Sequence, residues 1–251
     1  MKKVVVVMIA VLCMPWAGAI AGGTTPVQIS IWNPVQVFPD DYDVAGFRCG
    51  LYSRNRHVYG LDVGVMTRAD ESSGGIQVNL GCSTVSGLGV DFIIPDLIGA
   101  SEPDWSVVDN ASKSNKCASY TGLQLAYVVN YADDMRGIQL AGVGNYAVRL
   151  RGCQIGGVNE CRSGRGWQLG ILDDARHDFG GIQGAALFNF CGEEMHGLQI
   201  GGLWNSCDGE MHGLQIGVVN IAGKMTGVQV GLINIIKDSA IPFIPLVNMM
   251  F

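Results

Sequence analysis

No run of lysine or arginine long enough to follow a phosphate backbone occurs in this 251-residue chain. Its 16 basic residues are scattered and outnumbered by 22 acidic ones, for a formal charge of −6. That balance argues against nucleic acid as a partner. An apolar run long enough for a membrane-spanning helix is missing at the start: Val4 to Met14 is about a dozen residues, against the roughly 20 a bilayer requires. There is also no serine elbow, no His-Glu-x-x-His and no phosphate loop, so no reaction can be read from motifs. Neither a catalytic residue nor a cofactor or metal ligand set is expected.

What the chain has instead is a repeat. Gly, any residue, Gln occurs nine times, at Gly75, Gly122, Gly137, Gly152, Gly166, Gly181, Gly197, Gly213 and Gly227. From Gly122 the steps are 15, 15, 14, 15, 16, 16 and 14 residues. Looser copies stand at Gly46-Phe47-Arg48 and Gly60-Leu61-Asp62. A period this short marks an array whose units bury their inner sides only against one another.

Residues 1–21 read as an export signal. Lys2 and Lys3 precede the apolar stretch, and Ala19-Ile20-Ala21 is a small-residue cleavage pattern. Cleavage there leaves 14 basic and 22 acidic residues, a charge of −8, and seven cysteines. Seven thiols suit an oxidising compartment better than the cytosol, and an odd number leaves at least one unpaired within the chain.

The unit His212 to Ala222 shows the local pattern. Leu214 and Ile216 alternate with Gln215, the period of a strand with one buried face. After Gly217 the apolar parity changes to Val219 and Ile221. A corner at Gly217, where glycine tolerates positive φ, would keep all four apolar side chains inward. Met211 and its equivalents Met195, Met135, Met225, Leu150 and Phe179, two residues before the Gly, would add another inward side chain. Asn130, Asn145, Asn159, Asn189, Asn205, Asn220 and Asn234 recur five or six residues after the Gln, with Asp173 in place of one. Parallel stacking at ~4.8 Å would make these an amide ladder. Asp173 would interrupt it, because a carboxylate cannot donate.

The expected fold is all-β: a β-solenoid of about eleven 14–16-residue coils over 46–237. Non-repeat caps are expected at 22–45 and 238–251, with an excursion from the period at about 88–120. The competing fold is an antiparallel outer-membrane-type β-barrel. The alternation at Leu123, Leu125, Tyr127, Val129 and Tyr131 and the terminal Phe251 favour it. Scarce aromatics in most copies, the parity change, and Pro242 and Pro245 near the closing strand count against it.

The units Gly213-Leu-Gln-Ile-Gly-Val-Val-Asn220 and Gly227-Val-Gln-Val-Gly-Leu-Ile-Asn234 resemble an uncharacterised bacterial surface-repeat family built on Gly-Leu-Gln-Ile-Gly-Leu-Val-Asn. Pro34-Val-Gln-Val-Phe-Pro39, with Gly60-Leu-Asp-Val-Gly64 after it, is similar to that family's opening. The stretch 242–248 is similar to its close. The resemblance covers nearly all of the chain after residue 21 except the excursion. It implies export and a surface location, and no activity.

Among candidate functional residues, Cys191-Gly-Glu-Glu-Met-His196 and Cys207-Asp-Gly-Glu-Met-His212 are near-duplicates 16 residues apart. Parallel stacking would set Cys191 over Cys207, Glu194 over Glu210 and His196 over His212. A disulfide or a pair of inert thiols follows more naturally than zinc, since the spacing matches no established zinc pattern. Cys82 and Cys117 bracket the excursion and are the other candidate bond. Cys49 and Cys153 fall at apolar slots expected to lie in the core. Asp40-Asp41, Asp133-Asp134 and Asp173-Asp174 read as solvated turns; the carboxyl pairs sit more than two coils apart, too far for glycosidase chemistry. Phe92 and Trp105 in the excursion are the candidate contact residues. The resulting expectation is an exported, non-enzymatic envelope or surface protein with a structural or partner-binding role. The alternative is an outer-membrane pore, and in either case membrane association is open.

Overall fold

The computed structural model describes residues 23–86 and 117–251, and every regular element among them is a strand. In chain order they are β1 (Thr24–Trp32), β2 (Val35–Gln36), β3 (Asp43–Asn79), β4 (Cys82–Val85), β5 (Ser119–Ala126), β6 (Val129–Ala141) and β7 (Gly144–Ile155). They continue as β8 (Val158–Ala175), β9 (Phe179–Cys191), β10 (Glu194–Gly201), β11 (Trp204–Ile216), β12 (Val219–Ile236) and β13 (Phe243–Met250). Strands as long as β3 stay extended through the corners of the coil and so pass round it more than once.

Successive units lie parallel and in phase. Gly122 pairs with Gly137, Gly137 with Gly152, Gly197 with Gly213 and Gly213 with Gly227, each with the following Gln also in register. The result is a β-solenoid of about 12 coils, not a barrel. At ~4.8 Å per coil the rod is roughly 55 Å long. Among the described residues antiparallel pairing occurs only at the two ends, β1 with β2 and β12 with β13. The array starts earlier than expected. β1 is parallel to β3 with Gln28 opposite Arg48, so residues 24–32 form a coil within the stretch 22–45.

The interior reverses the expected parity. Gln124, Gln139, Gln154, Gln168, Gln183, Gln199, Gln215 and Gln229 are fully buried, as are the asparagines from Asn130 to Asn234. Leu214, Val219 and Ile221 are only half-buried and Ile216 is exposed. Polar alternates therefore face in and apolar ones face out. The expected Met column does lie inside: Met135, Leu150, Phe179, Met195, Met211 and Met225 are buried. They pack against the residue two places after each Asn, such as Ala132, Ala147, Cys161, Cys207 and Ala222. Small side chains there leave room for methionine across a narrow coil.

Amide pairing makes the polar interior stable. Each glutamine Nε2 donates to the Oε1 of the preceding coil, from Gln124 to Gln77 through Gln229 to Gln215, at 2.7–2.9 Å. Asparagines donate the opposite way, toward the C-terminal end, from Asn130 to Asn145 to Asn159 and from Asn189 through Asn205 and Asn220 to Asn234. The two rows of aligned side-chain dipoles thus oppose each other. Buried amides matched this way avoid the cost of unpaired polar groups.

Positive φ falls on the first glycine of each unit, for example 138° at Gly213, rather than on Gly217. A Cβ at Gly213 would stand 2.0 Å from the carbonyl oxygen of Gly197. Gly217 is required for a different reason: a Cβ there would meet Asn205 Nδ2 at 2.6 Å. One glycine bends the chain and the other clears space for the Asn row.

Candidate functional site

Because the amides turn inward, the outer surface of the Gln-bearing sheet consists of the residues just before and after each Gln. Across the twelve coils from Gln28 to Gln229 none of these is charged, amide or hydroxyl-bearing. Ile76 (45 %), Ile138 (43 %), Trp167 (55 %) and Ile200 (43 %) are among the exposed members. Cys49 and Cys153 are here too, half-buried on the outer face, not in the core as expected. A shallow groove of about 620 Å³ runs along one margin, lined by Val78, Leu125, Tyr127, Leu140, Ile155 and Ile171 among others.

The other margin is cationic over three consecutive coils. Arg136 pairs in register with Arg151, and Arg151 with Arg165. All three are exposed, and each lies two residues before its outward apolar side chain, Ile138, Cys153 or Trp167. Arg136 bonds Asp134 at 3.2 Å. No ion pair to Arg151 or Arg165 is found among the described residues. Sequence order hides this row, because the arginines are 15 and 14 residues apart and align only on stacking.

The duplicated Cys/Glu/His segments stack as expected. Cys207 pairs with Cys191, Glu194 with Glu210 and His196 with His212. The two imidazoles are 4.5 Å apart and 3° from parallel. Each histidine reaches the glutamate of its own coil, His196 to Glu194 at 3.4 Å and His212 to Glu210 at 3.3 Å. Among the described residues no group of three or more His, Cys, Asp or Glu side chains is arranged to hold a metal ion.

Cys191 and Cys207 are buried thiols. The Cys191 thiol is the harder to ionise, because it hydrogen-bonds to Cys207 and is cut off from water. Cys82 is also a buried thiol, opposite Val129, and burial raises its pKa. Phe92 and Trp105 lie outside the described residues.

The paired acids are not solvated turns throughout. Asp133, Asp134 and Asp173 are buried, whereas Asp174 faces outward beside Arg176 at 3.6 Å. Alternation puts Asp173 and Asp174 on opposite sides of the sheet, so the two do not form a carboxyl pair. Asp173 accepts a hydrogen bond from Asn159 at 2.7 Å and occupies a rung of the Asn row. Burial raises its carboxyl to a pKa of about 6 against the hydrogen bonds that favour its charge.

Two positions of the Gln row hold opposite charges that sequence reading passed over as loose copies. Arg48 and Asp62 are both buried, joined by Nε to Oδ1 at 2.8 Å and by the Arg48 terminal nitrogen to Oδ2 at 2.7 Å. Arg48 also donates to the carbonyl of Arg68 at 2.9 Å and to Asn55 Oδ1 at 3.3 Å. The pair takes the place of two amide rungs. Known protein families, characterised proteins and solved structures were compared with the chain, and none matches it.

Proposed function

We propose that the chain is an exported, non-enzymatic β-repeat protein of the bacterial cell envelope or surface, with a structural or partner-binding role. The supporting observation is the inverted coil. Its interior is closed by amide ladders and a thin apolar core, so the long outer Gln-sheet face is not needed to hold the rod together. A surface of unbroken apolar residues on a soluble rod is costly to keep in water and is the expected signature of a contact. The sequence adds an export signal at 1–21 and the resemblance to surface-repeat proteins.

Expression of the full chain in a bacterium, followed by fractionation and protease shaving of intact cells, tests this reading. The expected result is a mature protein beginning near Gly22, found in the envelope fraction. An uncleaved protein confined to the cytoplasm would overturn it.

A further inference from the structure

The Gln-sheet face carries one more step, which rests on the envelope reading above. We propose that this face lies on an anionic lipid surface, with Arg136, Arg151 and Arg165 bonding headgroup phosphates along its margin.

Lipid fits the face better than a protein does. A protein interface typically carries about one hydrogen bond per 100–200 Å². The positions flanking the Gln row offer across their whole length only thiols and the indole N–H of Trp167. Acyl chains ask for no such bonds. The strands also satisfy their backbone donors and acceptors against neighbouring coils, so the face can contact hydrocarbon without stranding polar groups.

The arginine row fixes the sign of the headgroup. In a chain of charge −6 it gathers three guanidiniums on adjacent rungs, two of them without an acid partner among the described residues. Guanidinium groups bind phosphate oxygens in a bidentate fork, and their stems lie along apolar surface while the heads stay at the polar boundary. Trp167, two residues beyond Arg165 and exposed, has the amphipathic ring that favours the same boundary. The contact is one-sided. Elsewhere around the coil stand Glu160, Asp174 and Arg176 in ion pairs, and Glu193 with His177, which no hydrocarbon would cover. The rod therefore rests on the leaflet rather than crossing it.

Flotation of the full mature chain with vesicles of phosphatidylcholine alone, and of phosphatidylcholine mixed with phosphatidylglycerol, tests the proposal. Co-flotation with the mixed vesicles is expected, and about thirtyfold weaker binding to them by the double variant Arg151→Gln/Arg165→Gln with an unchanged circular dichroism spectrum. Brominated acyl chains are expected to quench tryptophan emission, and Trp167→Phe to remove most of that quenching. Failure to float with either vesicle overturns the proposal, as does a stable dimer whose face stays closed to lipid. Equal binding to both vesicles by parent and double variant removes the arginine row from it. A protein that shaves from the cell surface yet binds no lipid would defeat this proposal alone and leave the envelope reading standing.

Discussion

Asp173 and Asn189 occupy neighbouring rungs of the Asn row, in register, with Asp173 Oδ2 and Asn189 Oδ1 both buried and neither hydrogen-bonded. Every other adjacent pair between Asn130 and Asn234 shares an amide hydrogen bond. The carboxylate has no proton to give, and the ladder breaks there.

Replacing Asp173 by Asn supplies the missing donor. Asp173→Asn is expected to stabilise the rod by about 1–3 kcal/mol at pH 8, measured by denaturant unfolding. The gain shrinks in acid. A carboxyl raised to about 6 in the folded state, from 3.8, binds its proton more tightly folded than unfolded. Its contribution favours the native state below 3.8, declines as pH rises toward 6, and is lost above that. The parent should thus lose stability between about pH 4 and 6 by a component that Asp173→Asn lacks. The thiols of Cys153 and Cys161, which feel the Asp173 charge, stay protonated across that window because burial raises both.

The Arg48–Asp62 pair supports a double-variant experiment. Asp62→Asn leaves a buried guanidinium without its counter-charge and should cost about 3–5 kcal/mol. Arg48→Gln/Asp62→Gln restores the residue that the repeat uses at both positions. It should be neutral or stabilising by about 1–4 kcal/mol. Urea midpoints of the single and double variants decide it.

Glycines of the repeat are not equivalent. Gly213→Ala places a Cβ 2.0 Å from a backbone oxygen at a φ of 138° and should cost about 3 kcal/mol or more. At Gly180 the nearest atom to an added Cβ is Arg165 Cγ at 3.5 Å, and no backbone atom crowds it. Gly180→Ala should be neutral or gain about 0.4–1 kcal/mol through the unfolded chain. Thermal unfolding of the two variants checks the contrast.

Cys191 and Cys207 stand on adjacent parallel rungs, where Cα atoms are ~4.8 Å apart, inside the range a disulfide spans. Refolding under a mild oxidant should join them, detected as a cross-linked peptide pair by mass spectrometry, with about 3 kcal/mol of added stability.

Much of the array was readable from residue spacing. The period, the parallel stacking of Asn205 on Asn220, the inward Met column, the break at Asp173 and the Cys191/Cys207 and His196/His212 stacks all follow from the phase of the repeat. The direction of the faces does not. Alternation shows that Leu214 and Gln215 point opposite ways, and the hydrophobic effect assigns the apolar side inward by default. In so narrow a coil the inner slot is instead filled by amides that pair along the axis. A signal for this was present. Gln is constant through nine units, whereas its neighbours vary among Leu, Ile, Val, Trp, Cys and Gly. A fixed, ladder-forming interior demands identity, and an outer surface tolerates change. Arg48 and Asp62 carried a related signal, as opposite charges at consecutive Gln positions. The arginine margin needed the three-dimensional register, since 14- and 15-residue steps conceal it.

The inversion of the coil is tested most directly by the native cysteines, which sample both sides of the sheet. Reduced, lipid-free, folded protein is treated with a small maleimide and mapped by mass spectrometry. Cys49 and Cys153 should react in the folded protein, while Cys161, Cys191 and Cys207 should react only after unfolding. Protection of Cys153 together with rapid labelling of Cys161 would place the apolar residues inside and contradict the account.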